Sequence, residues 1–185
     1  MVQNSDQKLV SDYFHGDKAA FEQLVRQYLK PVYNFTWRII GDGVASEDVV
    51  QEVFFKIWKN IKRFDLNKSF KTWIFQITKN TCIDYLRKKK ETPFSYFEDE
   101  EGGNALAETV VDPSPLPDEL FYRSDLATHA NSAIQELAPV YRLVMFLKYN
   151  DHFNFQEISE ILGESLNTVK SRHRRALIKL KKMLT

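Results

Sequence analysis

The chain reads as all-α: two small helical domains joined by a flexible acidic linker, the second domain containing a helix-turn-helix. Three features predict this. Apolar residues recur at helical intervals on both sides of a central segment. That segment, residues 91–117, holds Gly102-Gly103, prolines at 113, 115 and 117 and a concentration of acids, and such a composition cannot bury much surface. The last thirty residues carry two short helical patterns with a glycine between them, the second strongly basic. The expected boundaries are 1–92 for the first domain, 93–118 for the linker and 119–185 for the second domain.

Each element has its own signal. From Lys18 to Leu29, Phe21, Leu24, Val25 and Tyr28 fall at helical spacing; Pro31 then restarts or kinks the helix, which runs to Ile40. Gly41-Asp42-Gly43 is a turn. Ser46 is expected to cap the next helix, with Glu47 and Asp48 well placed in its first turn, and Val50, Phe54, Ile57, Trp58 and Ile61 as its buried stripe. Phe64 to Ser69 is a loop, and Phe70 to Lys90 a long helix with Trp73, Ile74, Ile77 and Leu86 in the core. Beyond the linker, Leu126, Ala130, Ala133, Ile134 and Leu137 share one face. Pro139 opens the following helix, with Leu143, Val144 and Leu147 inward.

The helix-turn-helix comes last. Asn154 and Glu157 form a capping box, Ile158, Ile161 and Leu162 make the buried stripe, and Gly163 supplies the backbone freedom at which that helix stops. Ser165 or Asn167 caps the second helix, in which Val169, His173, Ala176, Leu177, Leu180 and Leu184 face inward. Thr168, Lys170, Ser171, Arg174 and Arg175 are left on the outer side, with Arg172 near the edge. Residues 165–185 contain seven Lys or Arg and no acid. Phosphate neutralisation and base-edge contacts in a major groove both need that charge.

Bulk properties exclude several classes. The net charge of +1 conceals segregation: nine acids and no Lys or Arg lie between Glu91 and Tyr122, directly after Arg87-Lys-Lys-Lys90. No apolar run reaches the roughly 18 residues of a membrane span, and the N-terminus lacks a signal-peptide pattern. A single cysteine, Cys82, excludes an internal disulfide framework and fits a reducing cytoplasm; it is expected to be a small packed residue. The four histidines are scattered along the chain and are not read as a ligand set, so no metal and no cofactor is expected. The acids at 98–101 sit in a flexible run without a partner base, so catalysis is not expected.

Two features of the first domain exceed what a core requires. Asp48, Gln51, Glu52 and Phe55 share one helix face, either a protein-docking patch or an ordinary solvated surface. The stretch 64–90 mixes aromatics with bases: Lys68, Lys71, Lys79, Asn80, Arg87 and Lys88 line a polar side beside a loop containing Phe64 and Asn67. Aromatic platforms in cationic grooves hold single-stranded DNA, although Trp73 and Phe64 can equally be core residues.

The succession Ser46-Glu-Asp-Val-Val-Gln-Glu-Val-Phe54, Phe70-Lys-Thr-Trp-Ile-Phe-Gln-Ile-Thr-Lys-Asn80, an acidic linker and Thr168-Val-Lys-Ser-Arg172 resembles a bacterial sigma factor. The length and layout are similar to the extracytoplasmic-function group of the sigma-70 family. The resemblance implies a non-catalytic subunit that brings core RNA polymerase to promoter DNA, reading it as duplex and as single strand. Asp48, Gln51, Glu52 and Phe54 then match the segment docking on the polymerase clamp helices. The 64–69 loop and Asn80 match the part that captures a flipped base of the −10 element, and Lys79, Asp84, Arg87 and Lys88 the helix that helps open the duplex. Lys170, Ser171, Arg174 and Arg175 match the positions reading the −35 element, with Arg172 assigned to phosphate. The linker resembles a connector threaded into the polymerase channels. An anti-sigma partner is also implied, the chain being a monomer when free or a heterodimer with that inhibitor. Ser159, His173 and Arg174 depart from commoner family residues. The alternative is a stand-alone helix-turn-helix regulator, which has no need of the 64–90 block.

Overall fold

The computed structural model describes residues 2–90, 133–134 and 136–184. The acidic linker and the start of the second domain, with Leu126 and Ala130, lie outside the described residues, as does the side chain of Leu184. Among the described residues every regular element is helical. The chain divides into two compact units, residues 1–91 and 92–185.

The first unit contains α1 (Val2–Phe14), α2 (Lys18–Ile40), α3 (Gly43–Asn60) and α4 (Phe70–Lys90). Central α2 packs against the other three. Ala20, Leu24, Tyr28, Val32, Phe35 and Ile39 are buried along it, the three- and four-residue spacing of one helix face. Pro31 lies inside this single helix rather than dividing it. The Asp17 carboxylate accepts from the Ala19 N–H at 2.9 Å, and Gly41, at φ 72°, stops the helix in the left-handed region that glycine enters without steric cost.

The start of α3 differs from expectation. Asp42, not Ser46, is the cap: its carboxylate accepts from the Ala45 N–H at 3.0 Å. Ser46 is buried within the first turn and donates its hydroxyl to the Asp42 carbonyl at 2.6 Å. The buried stripe is Val49, Val50, Val53, Ile57 and Ile61. Phe54 is half-buried at its edge, and Trp58 projects outward. A 3-10 turn, Ile61–Arg63, leads to the loop before α4. Ser69 caps α4 by accepting from the Thr72 N–H at 3.2 Å. Along α4, Ile74, Phe75, Cys82 and Leu86 are buried, and Phe75 meets Phe35 at 5.1 Å between ring centroids. Burial pushes the Cys82 thiol up to about 12, an inert packed side chain.

The second unit contains α5 (Pro139–Met145), a π-helical turn (Phe146–Asn150), α6 (Phe155–Leu162) and α7 (Leu166–Leu184). Pro139 occupies the first turn of α5, where its missing N–H costs nothing. Leu137, Leu143, Val144, Met145, Leu147, Phe153, Ile158, Ile161, Leu162, Val169 and Ala176 form the interior.

Candidate nucleic-acid and protein interfaces

The helix-turn-helix is built by local chemistry. The Asn154 carboxamide oxygen accepts from the Glu157 N–H at 2.9 Å, and Glu157 returns the bond to the Asn154 N–H at 2.8 Å. Gly163, at φ 71°, closes α6. Ser165 then caps α7, accepting from the Thr168 N–H at 3.1 Å, while its hydroxyl meets that of Thr168 at 2.8 Å. Ser159 is buried and donates to the Gln156 carbonyl at 2.7 Å, so its hydroxyl is satisfied inside α6.

On α7, Lys170, Ser171, Arg174 and Arg175 are exposed and share a face by their three- and four-residue spacing. Arg172 does not join them. It is 6 % exposed, and its Nη1 reaches both carboxylate oxygens of Glu164, at 2.5 and 2.7 Å. Within the chain the guanidinium is paired inside the domain, tying α7 to the turn before it. His173 is partly buried, bonded to the Tyr149 hydroxyl at 2.9 Å and edge-on to Phe155. Burial, and then Lys148, lower its pKa. Leu177 is exposed rather than inward.

In the first unit, Asp48, Gln51 and Phe55 are exposed together, and Glu52 is partly exposed. Glu52 pairs with the Lys56 Nζ at 2.8 Å. Val44 and Trp58 extend the face, at 75 % and 53 % exposure, and Trp58 lies 6.0 Å from Phe55 between ring centroids. Val44, Asp48, Gln51, Phe55 and Trp58 thus form one stripe roughly 21 Å long at 1.5 Å per residue. Helical spacing puts Trp58 in the buried stripe with Val50, Phe54, Ile57 and Ile61; the structure leaves it 53 % exposed. The buried stripe runs through Val49, Val53 and Ile57, which leaves Trp58 at its rim with the ring turned outward.

The loop 64–69 is held from within. The Asp65 carboxylate accepts from both the backbone and side-chain nitrogens of Asn67, each at 3.0 Å, bonds that keep its pKa lowered. Asn67 and Lys68 are exposed. Phe64 is 7 % exposed, packed edge-on to Phe70 at 5.5 Å and against Trp73 at 5.0 Å. The ring supports the loop from beneath, against Phe70 and Trp73.

Between the end of α3 and α4 lies an open cleft of about 490 Å³, lined by Lys56, Asn60, Arg63, Trp73, Ile77, Asn80 and Thr81. It unites Asn80 and Trp73, and adds Lys56, Asn60 and Arg63, which spacing along the sequence did not single out. Lys56 bonds the Thr81 hydroxyl at 3.2 Å and lies 3.9 Å from Asp84. Lys71 and Lys79 are half-buried on α4, and Arg87 and Lys88 are exposed toward its end.

The family signature Sigma-70 region 2 matches residues 24–92, and Sigma-70, region 4 matches residues 131–180. The chain is 34 % identical over 180 residues to the ECF RNA polymerase sigma factor SigW of Bacillus subtilis, covering 96 % of this chain and 95 % of that protein. This chain belongs to the extracytoplasmic-function group of the sigma-70 family. It is also 31 % identical over 180 residues to the ECF RNA polymerase sigma-E factor of Escherichia coli, covering 94 % and 91 % of the two chains. A solved structure of the sigma factor RpoE, in complex with the anti-sigma factor NepR from Bartonella quintana, shares the fold. Its TM-score is 0.65 at 23 % identity, over 89 % of this chain and 96 % of that one. As a sigma factor, the chain works with RNA polymerase in promoter-directed transcription initiation, binding the core enzyme and promoter DNA; sigma factors are not enzymes.

Proposed function

We propose a division of labour among three surfaces of this sigma factor. The α3 stripe, Asp48, Gln51, Glu52 and Phe55 with Trp58 and Val44, docks on core polymerase; half-buried Phe54 supports it from the flank. The loop at Asn67 and Lys68, with the cleft at Trp73 and Asn80, takes a flipped base of the −10 strand. Lys71, Lys79, Asp84, Arg87 and Lys88 form the flank along which the duplex opens. Lys170, Ser171, Arg174 and Arg175, with Thr168 at the start of the helix, read the −35 duplex. Residues 1–92 act as the docking and melting domain, 93–118 as a connector and 119–185 as the duplex-reading domain.

The observation that carries this reading is the cleft. Flipping a base costs a few kcal/mol, so the freed strand needs a pocket and nearby cations. Trp73, Asn80, Lys56 and Arg63 line one hollow, supplying an aromatic surface, an amide, the positive charge of Arg63 and the Lys56 ammonium shared with Glu52 and Asp84. Stacking on an aromatic ring contributes roughly 1–3 kcal/mol per base. The α3 stripe pairs acids with exposed aromatics, and aromatics are the residue types that dominate interface energetics. Two further proposals follow from the family: an anti-sigma partner, as in the RpoE–NepR complex, and a cytoplasmic site of action. No described helix is long and apolar enough to cross a membrane.

Run-off transcription with purified core polymerase, with and without the chain, tests the whole reading on a genomic fragment library. Asn80→Ala is expected to slow strand opening about tenfold while core binding is retained. Permanganate footprints of unchanged rate and extent on a melted promoter would reject the cleft.

A further inference from the structure

A ring of contacts encloses the 64–69 loop and passes through the N-terminal helix. Asp6, buried on α1, accepts from Gln27 Nε2 at 2.7 Å and from the Tyr28 hydroxyl, both on α2. Tyr28 meets Phe70 edge-on at 5.6 Å, and Phe70 meets Phe64 at 5.5 Å. Phe64 opens the loop. The ring closes one residue after Asp6, where Gln7 Nε2 donates to the Leu66 carbonyl at 2.9 Å, across 59 positions of sequence.

We propose that Gln7 is a positioning residue for base capture, setting where the loop stands relative to the cleft. The inference rests on the reading that this loop takes the flipped base. Asp65 binds Asn67 twice, and the Lys68 N–H donates to the Asp65 carbonyl at 2.9 Å. Residues 65–68 therefore move as one turn, with Phe64 anchored at one end and Ser69 capping α4 at the other. Two anchors leave such a turn free to rock about the line between them. A third bond, made at Leu66 by a side chain from outside, removes that freedom. Asp6 keeps the base of the Gln7 side chain fixed, since its own carboxylate is held by two residues of α2. Gln7 suits the task because its amide donates without charge; a carboxylate there would face the Leu66 carbonyl oxygen and push the turn away.

The test uses full-length protein with core polymerase on promoters carrying each of the four bases at the captured position. A fluorescent purine beside that position reports opening. Gln7→Glu is expected to reduce the preference for the favoured base about three- to tenfold, the size of one neutral hydrogen bond. Gln7→Lys, which keeps a donor, is expected to restore most of it. Core affinity should not change in either variant, and the loss of stability should not exceed about 1 kcal/mol, that of one neutral hydrogen bond. A Gln7→Glu protein with unaltered preference, or with an equal loss on all four bases, overturns the proposal. Asn67→Ala and Asn80→Ala separate the two levels. If they change base preference and Gln7→Glu does not, only the role of Gln7 falls; if none does, loop capture falls with it.

Discussion

Arg172 offers the sharpest test, because two readings of one arginine predict opposite measurements. Its side chain is 8 % exposed and that of Glu164 is 11 % exposed, so the pair is removed from water. Removing one partner of a buried ion pair leaves an uncompensated charge and costs about 3–5 kcal/mol. A small domain has about 5–15 kcal/mol in total, so Arg172→Met alone should severely weaken the C-terminal unit. At about 4–8 °C per kcal/mol for a domain of 60–100 residues, its melting temperature should fall by more than about 10 °C. Replacing both partners is different. Arg172→Met with Glu164→Leu exchanges a desolvated pair for apolar packing, which is often neutral or stabilising. We predict that the double variant regains the melting temperature and binds −35 duplex with an unchanged salt dependence. A phosphate contact would give the reverse: little change in melting, and a salt slope reduced by about 0.9. Calorimetry and fluorescence anisotropy across a salt series decide between them. A well-folded double variant with a reduced slope would refute the buried-pair argument.

Three other outcomes are expected. Trp58→Ala should weaken core polymerase binding by about 2 kcal/mol or more, as loss of an interface aromatic does, with melting changed by no more than about 0.5 kcal/mol; equal affinity in a titration of core enzyme removes Trp58 from the docking face. Arg174→Ala or Arg175→Ala should each cost about 1–3 kcal/mol at particular −35 positions, whereas a loss shared by every sequence would assign that arginine to phosphate. His173 is held neutral by burial and by Lys148. A His pKa lowered by folding means that the unfolded chain binds more protons as pH drops through about 6.5, the free-imidazole value. Stability of the C-terminal unit should accordingly be full above that pH and decline below it. A wild-type melting temperature that stays level from pH 7 to pH 5, or that declines equally in His173→Gln, contradicts this.

Local chemistry was the legible part of the sequence. The capping box at Asn154 and Glu157 and the stop at Gly163 are each decided within four residues, and the structure has both; of the two candidate caps, Ser165 and Asn167, it uses Ser165. Depth was harder. Spacing assigns a residue to a face but not to a level below the surface, and Trp58, Phe64 and Leu177 all fell on that distinction. Trp58 adjoins buried Ile57 at the rim of the stripe, where a large ring can turn either way. Phe64 was open to both readings until Phe70 and Trp73, from the next helix, closed over it. Asp42 was missed as a cap because Gly41 ends one helix only a single residue before it, so the turn is shorter than the glycines suggest. Lys56, Asn60 and Arg63 became part of the cleft only through the approach of α3 to α4, a contact between elements that no local pattern records.

Arg172 was in principle legible. It stands three residues after Val169 and four before Ala176, both fully buried, and a charge in the middle of such a stripe requires an opposite charge within reach. Glu164, in the turn, is the nearest acid in the sequence, as residues 165–185 contain none. The consequence is mechanical. A recognition helix reads bases only if its roll about its own axis is fixed, and apolar side chains such as Val169 and Ala176 tolerate small rotations. Two short bonds from one guanidinium nitrogen to a carboxylate do not. The buried pair therefore sets the roll that presents Lys170, Ser171, Arg174 and Arg175 on one side. Loosening it should blur discrimination between −35 sequences before it abolishes binding, an order of loss that a graded series of Glu164 variants can resolve.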